Sequence, residues 1–490
     1  MRRITWYLTI GASLILPIVL LLVAGCGGGG GPLSQAETGP APSISAAFLQ
    51  LLPVAQRAAT TVGADKCANS GCHSTASHAN YTASWQKTRH AQVNVTCESC
   101  HGPGSAHLAN PTKTNILNGT DSTRPEVCGQ CHGPTYDQFK NSRHASAVQD
   151  VVNEGQSNPK TYVATCFRCH SAAFRAAMVD DPLANGKTPD DVNNNITAQT
   201  VDQLQAFVPG TKESATCVTC HDPHRATTNL TSTGEQAYLR RPTSNDDITD
   251  VTAATPVKQY TAANHICGSC HNGRGVNPSD AALTSGTSRA NMHYGPQYNM
   301  LNGNGGVEGI GTPPSRTSSH AEAPDQCAHC HMPNKRHTFT VSLDTSCAPC
   351  HTPTDAASRS DAIKNETLSG LLGLRTRMER WANGKFADSD LWDYSSYVSA
   401  EGKTAPNQSL IPIELKRARH NYYFILNDNS YGIHNTPYMR YLLNVANAQL
   451  DTLGVSRDVS GSRAVTPQQR LTLLNADRLR SRKADGIHGH

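Results

Sequence analysis

Sixteen cysteines of this 490-residue chain fall into eight pairs, and a histidine directly follows the second cysteine of every pair. In chain order the second to eighth pairs read C-x-x-C-H: Cys97/Cys100/His101, Cys128/Cys131/His132, Cys166/Cys169/His170, Cys217/Cys220/His221, Cys267/Cys270/His271, Cys327/Cys330/His331 and Cys347/Cys350/His351. The first motif, Cys67/Cys72/His73, has four intervening residues. With 22 histidines in the chain, eight such coincidences have a chance probability on the order of 10⁻¹¹. C-x-x-C-H is the attachment signature of c-type haem: two thiols add to the vinyl groups along one porphyrin edge, and the adjacent imidazole reaches the iron. Zinc ribbons pair C-x-x-C units into four-sulfur sites, and disulfides use any even count of cysteines. Neither rival demands a histidine at the next position. Eight covalently bound haems c are therefore expected, seven at regular motifs and one at Cys67/Cys72, where a disulfide is the alternative.

This reading accounts for an otherwise thin composition. Only 37% of residues are hydrophobic and 6% aromatic, with 38 glycines and 28 prolines, against roughly 45–50% apolar in ordinary domains. Eight porphyrins would supply the missing apolar surface. The motif histidines are separated by 28, 31, 38, 51, 50, 60 and 20 residues, which leaves little room for a sheet or an independent domain between haems. The expected fold is mainly α with much irregular structure, wrapped around a packed haem array and followed by long C-terminal helices. The net charge of +4 and the lack of a Lys/Arg-rich patch argue against nucleic-acid binding. Sixteen propionates would turn the loaded chain acidic, more so on reduction.

The seventeenth cysteine stands apart. Met1-Arg2-Arg3 precedes an apolar run from Ile4 to Ala24, interrupted by Pro17 and ending Val23-Ala24-Gly25-Cys26. A basic start, an apolar core and a small-residue end read as an export signal. The ending matches a lipobox, in which Cys26 becomes lipidated and begins the mature chain. Gly27 to Gly31 follow as a flexible tether. An uncleaved membrane anchor is the alternative. Residues 1–25 are expected to be a lipoprotein signal peptide, 26–60 a lipidated cysteine and linker, 61–355 the octahaem-binding region, 356–455 a helical region, and 456–490 a polar tail with one short helix.

Fourteen histidines remain besides the eight that end the motifs. His488 and His490 are in the polar tail, and His329 lies inside a motif. Eleven candidate distal ligands remain: His78, His90, His107, His144, His224, His265, His293, His320, His337, His420 and His434. At least three must do something else. His90 and His144 recur in matching phrases, Trp85-Gln-Lys-Thr-Arg-His90-Ala and Phe139-Lys-Asn-Ser-Arg-His144-Ala, a weak internal repeat that marks both as distal ligands. His107 and His224 lie just past turns, within reach of a neighbouring iron.

From Cys217 to Leu453 the order of features resembles the multihaem nitrite reductase and hydroxylamine oxidoreductase superfamily. Cys327-Ala-His-Cys330-His331-Met332-Pro333, His337, and Cys347-Ala-Pro-Cys350-His351 are similar to the last two haem sites of ammonia-forming nitrite reductases. Leu415-Lys-Arg-Ala and Asp428-Asn-Ser-Tyr-Gly-Ile-His434-Asn-Thr-Pro437 resemble that family's C-terminal helix. The resemblance implies that His434 is an iron ligand. His293-Tyr-Gly-Pro-Gln297 and Cys97-Glu-Ser-Cys-His-Gly-Pro-Gly resemble phrases of octahaem relatives, and a four-residue spacer is a known variant among multihaem cytochromes. The nitrite reductases' C-x-x-C-K motif is absent; by order the corresponding haem is the fourth, at Cys166/Cys169/His170. His271-Asn-Gly-Arg-Gly also lacks the tyrosine that helps form the pentahaem nitrite site. Octahaem hydroxylamine oxidoreductases keep C-x-x-C-H there, so the resemblance leaves catalysis open.

Beyond His351 helical stripes take over. Asp361 to Asn383, Leu410 to Asn427 and Pro437 to Leu453 each carry apolar residues at helical spacing, and Thr466-Pro467 reads as a cap opening a short helix. Residues 276–325 read as one long loop. The leading functional expectation is an outer-membrane lipoprotein, on the periplasmic or cell-surface face. It would pass electrons between periplasmic carriers or other cytochromes and an acceptor such as an extracellular metal oxide. Homo-oligomers would form through the C-terminal helices. The alternative is a reductase or oxidoreductase of a small nitrogen or sulfur oxyanion (nitrite, hydroxylamine, tetrathionate type) at the fourth haem, with His293 as an active-site acid. A cytochrome filament subunit is a third reading without direct support. Electron transfer stands ahead of substrate conversion, and no catalytic residue is assigned under it.

Overall fold

The computed structural model describes residues 45–68, 72–73, 81–118, 124–149, 151–152, 163–180, 200–245, 264–273, 278–284, 294–309, 311–314, 318–348, 350–386, 388–393, 408–458 and 466–484. Cys26, His78 and His293 lie outside them. Among the described residues the regular structure is helical, and the β contacts are two isolated bridges, His221 to Leu239 and Leu230 to Gln236.

Up to residue 351 the helices are short, and several are the motifs themselves. Cys97–His101, Cys217–Cys220 and Cys327–His331 are single helical turns. At positions 128, 217, 267 and 347 the first cysteine's carbonyl accepts from the histidine N–H four residues on, at 2.8–2.9 Å. One helical turn places residues i and i+3 side by side, which puts the two thiols of a C-x-x-C on one face. Short caps hold these turns: Thr96 N–H donates to Ser99 Oγ at 3.1 Å, and Thr216 N–H to Thr219 Oγ1 at 3.0 Å.

Buried polar side chains then stitch the turns together. Glu98 accepts from Val62 N, Gly63 N and Gly104 N at 2.8, 2.9 and 2.8 Å. Gln56, fully buried, donates to His101 O and Pro103 O and accepts from Leu117 N. Apolar packing here is local. Phe48, Leu52, Leu117 and Val127 form one cluster, and Phe167, Phe174, Met178, Val201, Leu204 and their neighbours form another.

Four longer helices follow. The first, Pro353–Asn383, opens on Thr352, whose Oγ1 accepts from Asp355 N, with Pro353 in the first helical position. It begins eight residues before the expected Asp361, because the cap and proline start it while its first two turns stay polar and carry no apolar stripe. Ile413–Asp428 buries 13 of its 16 residues, as a helix surrounded by packing partners must. It stops where Asn429 turns left-handed at φ 62°. Thr436–Thr452 is capped by Asn435, whose Oδ1 accepts from Tyr438 N at 3.1 Å. Gly370 lets this helix approach the first: a Cβ there would lie 2.6 Å from Leu443 Cδ1.

Pro467–Ala484 is 18 residues long, more than the short helix expected of the tail. Thr466 and Gln469 cap it reciprocally, and buried Leu474 and Asp477 hold it to the bundle. Asp477 accepts from Arg375 Nε at 2.7 Å and Tyr422 OH at 2.6 Å. Residues 276–325 also depart from a plain loop. Short helices form at Asp280–Thr284 and Gln297–Leu301, and burial of Tyr298, Met300 and Leu301 anchors the second.

Candidate functional site: paired imidazoles and clustered thiols

None of the 16 motif cysteines is in a disulfide. Their sulfurs meet across motifs. Cys67 lies close to Cys97, Cys128 to Cys217, Cys169 to Cys270, and Cys267 to Cys327. Cys100 faces Cys128 and Cys131, Cys220 faces Cys270, and Cys330 faces Cys347. These contacts link motifs 1–2, 2–3, 3–5, 5–6, 4–6, 6–7 and 7–8 into one connected set. Burial raises several of these thiols: Cys100 is pushed up to about 12, and Cys220 and Cys330 to about 11.

In the first motif Cys72 follows the helical turn rather than sitting on it. It is exposed, whereas its partner Cys67 is half-buried, and the two are not joined as a disulfide. The longer spacer takes Cys72 off the turn. The helical turn Ala64–Cys67 ends at Cys67 itself, so Cys72, five residues on, cannot sit on that turn as the second thiol of a C-x-x-C does. Cys131 and Cys350 are also exposed, but each keeps the three-residue offset from its partner. The imidazole of the first motif is nonetheless placed like the others, as its ring pairing shows.

The imidazoles are arranged in facing pairs. His73 faces His107 with ring centres 6.3 Å apart, His132 faces His90 at 6.2 Å, and His101 faces His224 at 6.0 Å. His271 faces His144 at 5.9 Å, His221 faces His337 at 6.2 Å, and His331 faces His434 at 6.3 Å. Every pair joins one motif histidine to one of the eleven candidates. A metal–imidazole bond of about 2.0–2.1 Å, plus ~1.1 Å from nitrogen to ring centre, puts two trans ligands about 6.3 Å apart. The six pairs hold that spacing, so the residues present fit a bis-imidazole haem iron.

The tautomers fit as well. A carbonyl oxygen only accepts, so a ring nitrogen bonded to one carries the proton. Nδ1 donates to a carbonyl at His101 (Leu117, 2.9 Å), His170 (Ala147, 2.7 Å), His221 (Ala237, 2.6 Å) and His331 (Phe339, 3.1 Å). It does so too at His107 (Thr112, 3.0 Å) and His337 (Lys335, 2.9 Å). Nδ1 of His434 meets the buried Asp428 carboxylate at 2.6 Å, and that of His351 meets Asp355 at 3.2 Å. Each leaves the Nε2 lone pair available to bind iron, the usual way an outer partner fixes a metal-binding histidine.

Electrostatics keeps most of these rings neutral. Burial, then the facing His271, holds His144 down to about 4. Burial, then His101, holds His224 down to about 3. Burial and His132 lower His90. His434 goes the other way: burial pulls it down, but Asp428 outweighs that and raises it.

Of the other described candidates, His265 and His420 hold the opposite tautomer, whereas His320 holds the same one as the paired histidines. His265 is buried, and its Nδ1 accepts from Cys267 N at 3.1 Å and Gly268 N at 2.8 Å, so its proton sits on Nε2. Its ring packs on Tyr298 at 4.8 Å, and its nitrogen groups with the Cys267 and Cys327 sulfurs within 4.8 Å. That trio is the one cluster of metal-ligand spacing among the described residues. His420 is buried with Nε2 donating to Gly305 O at 3.2 Å, again the form that cannot ligate through Nε2. His320 is exposed and donates from Nδ1 to Ile433 O at 2.6 Å. His78 and His293 lie outside the described residues.

The sequence reading named the paired histidines but not their partners. His107 reaches back one motif, whereas His144, twelve residues past His132, pairs with His271 instead. Two functional residues carry no motif of their own. Asp428 is the carboxylate that holds His434. Arg175 is a fully buried cation five residues after His170. A lone arginine within the apolar run Ala172–Met178 was the available signal.

The family model described as cytochrome c554 and c-prime matches residues 53–102 and 127–193, the two stretches that carry motifs 1 to 4. The C-type polyheme cytochrome OmcB of Geobacter sulfurreducens is 27% identical over 242 residues, covering 46% of this chain and 27% of that protein. The chain thus matches about a quarter of the length of that curated relative. Among solved structures, the undecahaem cytochrome from the S-layer of Carboxydothermus ferrireducens is 22% identical with a TM-score of 0.45, over 73% of this chain and 50% of the other. The outer cell wall cytochrome OcwA is 20% identical with a TM-score of 0.45, over 73% and 70%.

Proposed function

We propose that this multihaem c-type cytochrome is an exported octahaem electron carrier, held at the outer membrane by a lipid on Cys26. The observation that carries the reading is the set of six facing imidazole pairs. When bound, each haem supplies a one-electron Fe(III)/Fe(II) couple. The chain's part is to hold two imidazoles at each of six irons, with proton-bearing Nδ1 atoms turned to carbonyls or carboxylates wherever the bond is defined. Two nitrogen ligands leave no position for a substrate at those six irons, which favours relay over conversion there; His170 of motif 4 and His351 of motif 8 are not among the six pairs. The sulfur contacts support the path: 1–2–3–5–6–7–8, with motif 4 branching at motif 6.

The lipobox-like ending at Cys26 and the glycine tether after it support a membrane-tethered exported protein. Its donors and acceptors would be other cytochromes or an extracellular oxidant such as a metal oxide. The test is to purify the ferric protein, count haems by the pyridine haemochrome spectrum, and count high-spin irons by electron paramagnetic resonance. Eight haems with low-spin signals throughout are expected. A strong high-spin signal from the native protein would move the assignment to the oxidoreductase reading, and fewer haems than motifs would overturn the octahaem count, the irregular Cys67/Cys72 site being the first to examine. For the anchor, Cys26→Ala is expected to release the protein from membranes; retention of the variant in the membrane fraction would sink the lipid assignment.

A further inference from the structure

Arg175 is 1% exposed and lies where three motifs converge. Its Nη1 donates to Cys270 Sγ at 3.1 Å and Arg168 O at 3.3 Å, and its Nη2 to Ser269 Oγ at 3.0 Å. Its Nε donates to Asp180 at 3.2 Å, and Arg241 meets the other oxygen of that carboxylate at 2.9 Å. Cys169 of motif 4, Cys220 of motif 5 and Cys270 of motif 6 all face the guanidinium. With Cys270 neutral, as a haem thioether would be, two cations and one anion leave a net positive charge at this junction. Removing ions of this kind from water is costly, and a neutral side chain would fill the same space without that penalty.

We infer that Arg175 is a tuning residue that raises the reduction potentials of the haems at motifs 4 and 6, making the branch of the array an electron-holding point. The inference rests on the haem reading above. Reduction of a ferric iron adds one electron and removes one positive charge from the haem core. A fixed cation beside the thioether edge therefore favours the ferrous form, more strongly because the site excludes water. Asp180 offsets part of that field and fixes the guanidinium's direction.

The experiment is spectroelectrochemical titration of the full-length, haem-loaded protein, with haem content measured in parallel. Arg175→Gln is expected to lower the reduction equilibrium constant of one or two haems about tenfold, a downward shift of about 59 mV, with the other haems unmoved. Arg175→Lys, which keeps the charge, is expected to stay near the parent. Asp180→Asn is expected to shift the same haems upward. An Arg175→Gln profile that superimposes on the parent, or a lysine variant that shifts as far as the glutamine variant, overturns the inference. Should Arg175→Gln fail to mature, Asp180→Asn decides: an upward shift supports the assignment, and no shift or a downward one overturns it. A parent protein without covalent haem would overturn both this inference and the haem reading; a haem-loaded parent with unmoved potentials overturns only the role of Arg175.

Discussion

The two halves of the described chain are held together by different things. From residue 353 on, four helices share one continuous core of Leu371, Leu374, Met378, Trp392, Leu415, Tyr422, Tyr423, Phe424, Tyr438, Met439 and Leu442, all fully buried. Before residue 352 the apolar clusters are smaller, apart from Met300, which joins the bundle core, and this stretch carries the thiols and the motif imidazoles. One region makes its interior from side chains, and the other reserves it for porphyrin. Burial of apolar area stabilises both, but only the first carries that area in its own residues.

The largest expected effect tests that contrast directly. Protein made without haem attachment, by Cys→Ser changes at the motifs, should lose amide-exchange protection across residues 45–351 and keep it in the 353–452 helices. Equal loss in both regions would break the comparison. Next comes the core of the helical half. Arg419 and Asp393 form a buried ion pair, to which Tyr423 OH adds a bond at 2.7 Å. Arg419→Met leaves Asp393 buried and uncompensated, and should cost about 3–5 kcal/mol in denaturant unfolding with the haem spectrum unchanged. A Soret shift in that variant would show that the halves are not separable.

On the haem side, His144→Ala should convert one low-spin iron to high spin while haem content stays constant. An unchanged resonance spectrum would remove His144 from the ligand set. Acidification gives a graded version of the same test. His144 and His224 have folded pKa values of about 4 and about 3, below the ordinary histidine value of about 6.5. The unfolded chain therefore binds more protons, and stability falls as pH drops below about 6.5, with the loss continuing toward those folded values. The low-spin spectrum should fade in acid. The smallest effect belongs to Asp428→Asn. Removing the carboxylate bonded to His434 makes that imidazole a weaker electron donor, so the haem at motif 7 should titrate at a higher potential, without loss of its low-spin signal.

Much of this was legible in the sequence because covalent chemistry imposes spacing. A haem edge fixes C-x-x-C-H whatever the surrounding fold, so the motifs could be read off directly. The exposure of Cys72 was less so, because the spacer's length shows in the sequence but not where the turn before it ends. The bundle helices betrayed themselves by apolar stripes at Leu368, Leu371, Leu372 and Met378, although the first of them starts earlier, where only Thr352 and Pro353 mark the cap. Ligand pairing was not legible, since nothing local to His144 says that it meets His271. The tautomer that sets His265 and His420 apart depends on backbone N–H and carbonyl groups that only the folded chain brings near. Arg175 was hidden for the same reason: its partners Ser269 and Cys270 lie 94 and 95 residues away.

The ring pairs also put a schedule into the chain. The imidazoles facing His132 and His271 precede them in sequence, at His90 and His144, whereas His101 meets His224, His221 meets His337 and His331 meets His434. A polypeptide emerging from its N-terminus can close the sites at motifs 3 and 6 as soon as their own histidines arrive. The site at motif 2 stays half-built until 123 more residues have appeared, and motif 7 is closed only by the segment that enters the helical bundle. Each late closure ties a long loop, as a disulfide would, so the bundle is the clasp of the assembly, fastened last.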